Sequence, residues 1–176
     1  MHDQFINQST RRASAFMRDI PDAGIAGSTN DAVLRFDVAN DAVAGEGLTI
    51  VHDAVNGDSV QISLSGVYLV EFAFSQNVST TTLLGISSNV AAAGLTGNPA
   101  MTIVGMLAVG GSVLPAANSV YHNLTSVVAV SALGATLPTV IRAHGTQGDG
   151  TAIEAAELLT NTDCFLRVTR IGNVIE

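Results

Sequence analysis

The sequence predicts an all-β domain, a sandwich or barrel of antiparallel strands. Apolar and polar residues alternate with a period of two along much of the chain, and no segment shows a long helical period. Short apolar stretches follow one another with Gly, Pro or Asn between them, which is typical of strands joined by turns. With 176 residues, 47% of them hydrophobic, the chain has enough apolar material for one packed domain.

The clearest alternation covers residues 60–74, which present an apolar face and a mostly polar face. This stretch is too long for one ordinary strand, so we predict a bend at Ser65-Gly66 between two strands. Asn56-Gly57 predicts a tight turn just before it. The other predicted strands are 34–38, 48–52, 82–87, 101–109, 120–130, 137–143, 151–159 and 165–171.

The first 27 residues differ from the rest, and the predicted β domain is assigned to residues 28–176. Residues 1–27 are polar, contain Arg11, Arg12 and Arg18, and end in a segment with Pro21 and two glycines. We predict an extended N-terminal arm, with at most one helical turn over residues 14–20. A disordered tail is the alternative for the same segment.

The charge composition excludes several chemistries. All seven basic residues are arginines, and the net charge is −8. Without lysine there is no Walker-type phosphate lysine and no Schiff-base lysine. An acidic chain is also a poor electrostatic match for a phosphate backbone, so no nucleic-acid partner is expected.

Residues 72–141 contain no Asp, Glu, Lys or Arg, a run of 70 residues. The best membrane candidate within it, residues 101–109, is shorter than the ~20 residues that span a bilayer, so no membrane partner is expected. Two interpretations remain, a neutral Ser/Thr/Asn surface or a large subunit interface, since interface cores are depleted of charge. For an interface, the candidate residues are Tyr121, Val128 and Val130.

No constellation of residues predicts catalysis or metal binding. The four histidines have no partner at metal-ligand spacing, and Cys164 is the only cysteine. The segment from Asp53 to Asp58 has Val55 where a calcium loop needs an oxygen ligand. We therefore expect no metal, no cofactor and no enzymatic activity, although a Ser/His/Asp triad assembled from distant segments stays open.

The run from Val60 through Gly66-Val67-Tyr68 to Val70 resembles the signature of the C1q/TNF-like jelly roll. In that family an apolar alternation leads into a Gly-x-Tyr step between two strands, here Gly66 and Tyr68. The resemblance implies an antiparallel jelly-roll sandwich. It also implies a homotrimer in which the apolar surfaces of three sandwiches meet on an axis.

A TNF-like trimer with few charges, a single cysteine and no secretory signal resembles the capsid decoration, or cement, proteins of bacteriophages. The resemblance implies a structural virion protein on the outer surface of a phage head, assembled in the host cytoplasm, that stabilises neighbouring capsomers. The arm is then expected to lie on the major capsid protein lattice. Arg11, Arg12 and Arg18 would pair with acidic capsid residues, and Phe16 and Met17 would be apolar anchors.

Other functions stay open. A receptor- or glycan-binding head of a phage fibre or bacterial surface protein is the main alternative, although two Tyr, six Phe and no Trp offer little for sugar stacking. A small capsid or spore-coat subunit is another. An enzyme on a cupin-like jelly roll would need paired histidines and a carboxylate, which the sequence lacks.

Overall fold

A computed structural model describes residues 12–18, 25–26, 32–53, 57–76, 82–88, 106–112, 120–131, 137–147 and 164–174. Within these residues the chain forms β-strands and one 3₁₀ turn, Val38–Asn40. The strands are β1 (Ser14–Arg18), β2 (Ile25–Ala26), β3 (Ala32–Leu34), β4 (Ala42–Ala44), β5 (Leu48–Val51), β6 (Ser59–Ile62), β7 (Gly66–Gln76), β8 (Thr82–Ser88), β9 (Met106–Ser112), β10 (Val120–Val130), β11 (Thr139–Gln147) and β12 (Phe165–Gly172).

The strands form two antiparallel sheets. Sheet A has the order β10-β7-β12-β1-β4. Sheet B has the order β2-β3-β11-β6-β5, with β8 also paired to β11 and β9 paired to β8. Neighbours within each sheet are mostly distant in sequence, because the chain crosses repeatedly from one sheet to the other. This arrangement confirms the predicted all-β, antiparallel jelly-roll sandwich.

The hydrophobic core lies between the two sheets, because alternate residues of each strand face the opposite sheet. In β7 these are Tyr68, Val70 and Phe72, all fully buried. The largest fully buried side chains come from both sheets: Tyr68, Phe72, Met17, Leu34, Ile62, Ile86, Ile141 and Leu166.

The predicted bend between two strands is confirmed, since β6 ends at Ile62 and β7 begins at Gly66. At Gly66 the chain passes so close to its neighbours that a Cβ atom would lie 2.7 Å from the Arg170 Nε and 3.1 Å from the Gly172 carbonyl oxygen. Glycine therefore lets β7 start directly against the end of β12.

The predicted strand 34–38 is wrong beyond Leu34, because β3 begins two residues earlier and ends four residues earlier than predicted. The Phe36 N–H donates to the buried carboxylate of Asp58 at 2.7 Å and not to a neighbouring strand. One residue later, the Asp37 side chain accepts from the Ala39 N–H and caps the 3₁₀ turn. The backbone N–H groups of this segment thus donate to side-chain carboxylates and not to the carbonyl groups of a neighbouring strand.

The predicted arm is wrong for residues 14–18, which form β1 inside sheet A. Strand β1 pairs with β12 on one side and with β4 on the other. Ala13, Ala15 and Met17 are buried in the core, which gives the segment the period of a strand and not of a helical turn. The sandwich therefore begins well before residue 28, and residues 1–11 lie outside the described part of the chain.

The remaining predicted strands agree with the structure in type. Strand β10 has the predicted bounds, and β8 and β12 each extend one residue beyond their predicted ranges. Strand β11 begins two residues later and ends four residues later than predicted. Strand β9 begins at Met106, and residues 101–105 and 151–159 lie outside the described residues.

Candidate interaction surface

The face of sheet A that points away from the core is formed by five strands. Cross-strand partners share a face, so the registers define its rows. One row runs through Thr125, Glu71, Arg167, Phe16 and Ala42. The next runs through Val127, Leu69, Thr169, Ser14 and Ala44. We call this surface the outer face of sheet A; its apolar members are Phe16, Ala42, Ala44, Val67, Leu69, Val127, Ala129, Phe165 and Ile171.

Large apolar side chains are exposed on this face. Val127 is 59% exposed on β10, and Ile171 is 53% exposed at the end of β12. Val67 and Leu69 of β7 lie between these two strands and are only partly covered. A water-facing sheet normally carries polar residues at such positions, whereas a contiguous exposed apolar patch marks an interaction surface.

The charges at the centre of the outer face neutralise each other. The Arg167 guanidinium binds the Glu71 carboxylate, with the Nη2 to Oε2 distance at 2.6 Å. The hydrogen bond to Glu71 raises the pKa of Arg167 above its ordinary value. Arg167 also lies over the Phe165 ring at 5.8 Å, and that ring packs on Phe16 with a centroid distance of 5.5 Å. A paired charge of this kind can be covered by a partner at lower cost than an isolated one.

The residues predicted for capsid contact lie in different environments in the structure. Met17 is fully buried in the core, so its assignment as an exposed anchor is wrong. Phe16 packs on Phe165 on the outer face, where β1 is an internal strand and not a free arm. Arg12 and Arg18 are exposed at opposite ends of β1, and Arg11 lies outside the described residues.

The trimer candidates on β10 are largely on the wrong face. Val130 is 2% exposed and belongs to the core, and Val128 packs against the core from the same side. The assignment of Val130 to a subunit interface is therefore wrong, and that of Val128, which is partly buried on an edge strand, stays a prediction. Val127 is the residue that sequence reasoning missed. The Tyr121 backbone lies in β10, and its side chain is outside the described residues.

Gly66 and Tyr68 secure the start of β7. The Tyr68 ring is fully buried, and its hydroxyl donates to the Leu64 carbonyl oxygen at 2.8 Å. Burial raises the pKa of Tyr68, and the nearby Arg170 charge opposes that shift. The buried phenol thus has the hydrogen-bond partner that it needs, and it fixes the connection between β6 and β7.

A buried carboxylate links several loops at one end of the sandwich. The fully buried Asp58 accepts from the Phe36 N–H and the Asp53 N–H, and Arg35 lies 3.8 Å away. His52 bridges Asp58 and Asp41, with its two ring nitrogens 2.8 Å and 2.6 Å from a carboxylate oxygen of each.

Both His52 nitrogens can donate to carboxylates only when the imidazole is doubly protonated. Burial lowers the pKa of His52, but hydrogen bonds and charges from Asp41 and Asp58 outweigh burial and raise it above 6.5. Asp41 precedes a strand of sheet A, and His52 follows a strand of sheet B. The imidazolium therefore ties the two sheets together at this edge.

Ser87 and His144 form a second polar pair, on the face of sheet B that points away from the core. The Ser87 hydroxyl and the His144 Nε2 are hydrogen-bonded, and both residues are buried. Burial, with help from the Arg142 charge, lowers the pKa of His144 to about 3. Among the described residues no acceptor binds the His144 Nδ1. Within the described residues this pair therefore has no carboxylate that orients the imidazole, as a hydrolytic triad would require.

Two further features concern the described part of the chain. Nowhere in it do three His, Cys, Asp or Glu side chains come together as a metal site. None of its helices is long and apolar enough to cross a membrane.

Comparisons with known proteins identify the fold. No protein-family model matches the chain, and no curated protein matches its sequence. Three crystal structures of murine APRIL, at pH 5.0, 8.0 and 8.5, are similar to it with TM-scores of 0.60, 0.60 and 0.56. The identities are 13%, 13% and 16%, and each match covers 91% of this chain and 99% of that chain. The likeness shows a TNF-like jelly-roll sandwich, which confirms the predicted fold class.

Proposed function

We propose that the protein is a homotrimeric structural protein of a virion, a decoration or cement protein on the outer surface of a bacteriophage head. The observation that carries the proposal is the exposed apolar outer face of sheet A on a TNF-like fold. The TNF-like fold resemblance implies a homotrimer, and this surface has the character of a protein interface.

The distribution of charge supports self-association through the same surface. Strand β10 lies within the 70-residue run without Asp, Glu, Lys or Arg, and it forms one edge of sheet A. On the described outer face, the acidic residue Glu71 is paired with Arg167 of the same chain. Three copies can therefore bring their outer faces together without burying an unpaired carboxylate.

Attachment to a capsid is assigned to residues 1–11 with Arg12, because residues 14–18 belong to the sandwich. A segment that becomes ordered on a lattice loses conformational entropy, and three such segments on one trimer gain from binding together. The arginines of this segment suit acidic groups on a major capsid protein.

The first test is the mass of the purified chain in solution by light scattering. A mass near three times 18.0 kDa supports the trimer, and a mass of 18.0 kDa contradicts it. The second test mixes the chain with heads assembled from the capsid protein of the same genome and sediments them. Deletion of residues 1–11 should abolish co-sedimentation and leave the trimer intact.

Two outcomes would contradict the capsid role. One is a full-length trimer that does not sediment with heads. The other is binding to intact host cells that the deletion of residues 1–11 does not change, which would instead support a receptor-binding head.

A further inference from the structure

Residues 38–46, which we call the edge segment, leave sheet B, run along the edge of sheet A and return to sheet B. They contain the 3₁₀ turn and β4, which pairs with β1 over only three residues. Phe36 and Leu48 are buried on either side of the segment, but no residue between them is buried. A stretch of chain without buried side chains opens at lower cost than the core.

Asp41 connects the edge segment to the rest of the sandwich through His52. Its Oδ2 lies 2.6 Å from the His52 Nε2. Its Oδ1 is buried and has no hydrogen-bond partner among the described residues. The Asp41 carboxylate therefore depends on the proton that His52 carries on Nε2.

The second carboxylate that His52 contacts has further donors. Asp58 also accepts from the backbone N–H groups of Phe36 and Asp53. Its side chain is fully buried, whereas that of Asp41 is 20% exposed. An imidazole with a single proton should therefore keep it on Nδ1, because Asp41 can turn to water and Asp58 cannot.

The electrostatic surroundings of His52 set the pH at which the proton on Nε2 is lost. The charged side chains around the ring are Asp41, Asp58, Arg35, Asp53 and, interacting with Asp53, Arg142. Burial lowers the pKa of His52, but the hydrogen bonds and charges of Asp41 and Asp58 raise it above its ordinary value. The ring therefore carries both protons in mildly acidic solution and loses one as the pH rises.

We propose that His52 is a pH-sensitive switch for the edge segment, in which loss of the Nε2 proton releases Asp41 to solvent and lets residues 38–46 separate from the sandwich. Without that proton, a lone pair of Nε2 faces the carboxylate oxygen, and the contact becomes repulsive. The ends of the segment stay fixed, because the Asp37 N–H donates to the Arg18 carbonyl oxygen and the Ser63 N–H donates to that of Gly47. The opening is therefore local and reversible.

The test is hydrogen–deuterium exchange of the full chain at pH 6 and pH 8.5, with each peptide's rate divided by its unstructured rate at the same pH. We expect protection of residues 38–46 to fall roughly tenfold or more at the higher pH, the loss expected for one charge-assisted hydrogen bond. Peptides from β7 and β10 should keep their protection. A fall that extends to β7 and β10 would indicate general unfolding or dissociation of subunits and would overturn the proposal.

Two variants test whether the contact between Asp41 and His52 is the cause. In Asp41→Asn the amide can accept from a protonated Nε2 or donate to an unprotonated one, so protection should be the same at both pH values. Asp37→Asn removes an equal charge beside the segment and keeps an oxygen that caps the 3₁₀ turn, so the fall at pH 8.5 should remain. Equal protection of the wild-type segment at the two pH values, or a fall that persists in Asp41→Asn, would also overturn the proposal.

Discussion

One carboxylate, that of Asp58, organises the end of the sandwich where four segments meet. It is fully buried, and it accepts hydrogen bonds from backbone or side-chain donors of Phe36, His52 and Asp53. A buried charge is tolerated when its hydrogen bonds are satisfied in this way. The sequence predicted a tight turn at Asn56-Gly57, and nothing in it indicated that Asp58 would point inward.

The bridge made by His52 makes stability depend on pH. Its folded pKa is raised, so its contribution is fully present below the unfolded value of 6.5 and is lost as pH rises through the folded value. We expect His52→Gln to destabilise the fold more at pH 6 than at pH 8.5, as measured by urea unfolding at both pH values. A destabilisation of equal size at the two values would contradict the proposed protonation of His52.

In the sequence Gly66 is only one residue of a motif, whereas the structure shows the close contacts that require a glycine at this position. Gly66→Ala would place a Cβ 2.7 Å from the Arg170 Nε and 3.1 Å from the Gly172 oxygen, so we expect a loss of about 1–3 kcal/mol in the free energy of unfolding. Gly172→Ala is the matched control, because its Cβ would have its nearest contact at an ordinary 3.8 Å. Equal losses in denaturant unfolding would show that close packing at Gly66 is not the cause.

At the scale of strands, local patterns in the sequence were enough to predict three of the five strands of sheet A, including the bounds of β10 and the break before Gly66. The three-residue strand β4 was not predicted. The local pattern failed for β1, because alanines at positions 13 and 15 carry a weak hydrophobic signal and arginines surround them. The end of β3 was also missed, since it depends on a hydrogen bond between Phe36 and Asp58, two residues far apart in sequence. A local sequence pattern cannot predict such contacts between residues that are distant in sequence.

Strand β1 gives a direct test of the corrected N-terminal boundary. Met17 is 0% exposed, so Met17→Ala should lower the free energy of unfolding by about 2–5 kcal/mol, the range for a large-to-small change in a core. Phe16→Ala, one residue away on the outer face, should affect folding less and self-association more. If residue 17 belonged to a free arm, its substitution would leave the unfolding transition unchanged.

For the whole molecule, the fold class could be predicted from the sequence, but the exposed face of each strand could not. The candidates Val128 and Val130 lie on the core side, and the neighbouring Val127 faces outward. A shift of one residue in the pairing register exchanges the two faces of a strand, and that register is set by distant partners such as Leu69 of β7.

The proposed trimer can be tested by a substitution at Val127. Val127→Asp would place a carboxylate in the apolar outer face, so we expect the mass in light scattering to fall from near three times 18.0 kDa towards 18.0 kDa. Val38→Asp adds the same charge at a 62% exposed position outside sheet A and should leave the mass unchanged. Two variants of equal mass would contradict the assignment of the outer face as the interface.

Because β12 lies between β7 and β1, it also determines when sheet A can finish folding. Sheet A joins a strand near the start of the chain to one near its end, so β1 and β4 stay disconnected from β7 and β10 until residues 165–172 have left the ribosome. Pairings this distant make folding slow, in the millisecond-to-second range. Until β12 arrives, the facing edges of β7 and β1 are open, and a β12 strand from a second chain can insert there. We therefore expect exchange of this strand between copies to compete with correct folding at high concentration.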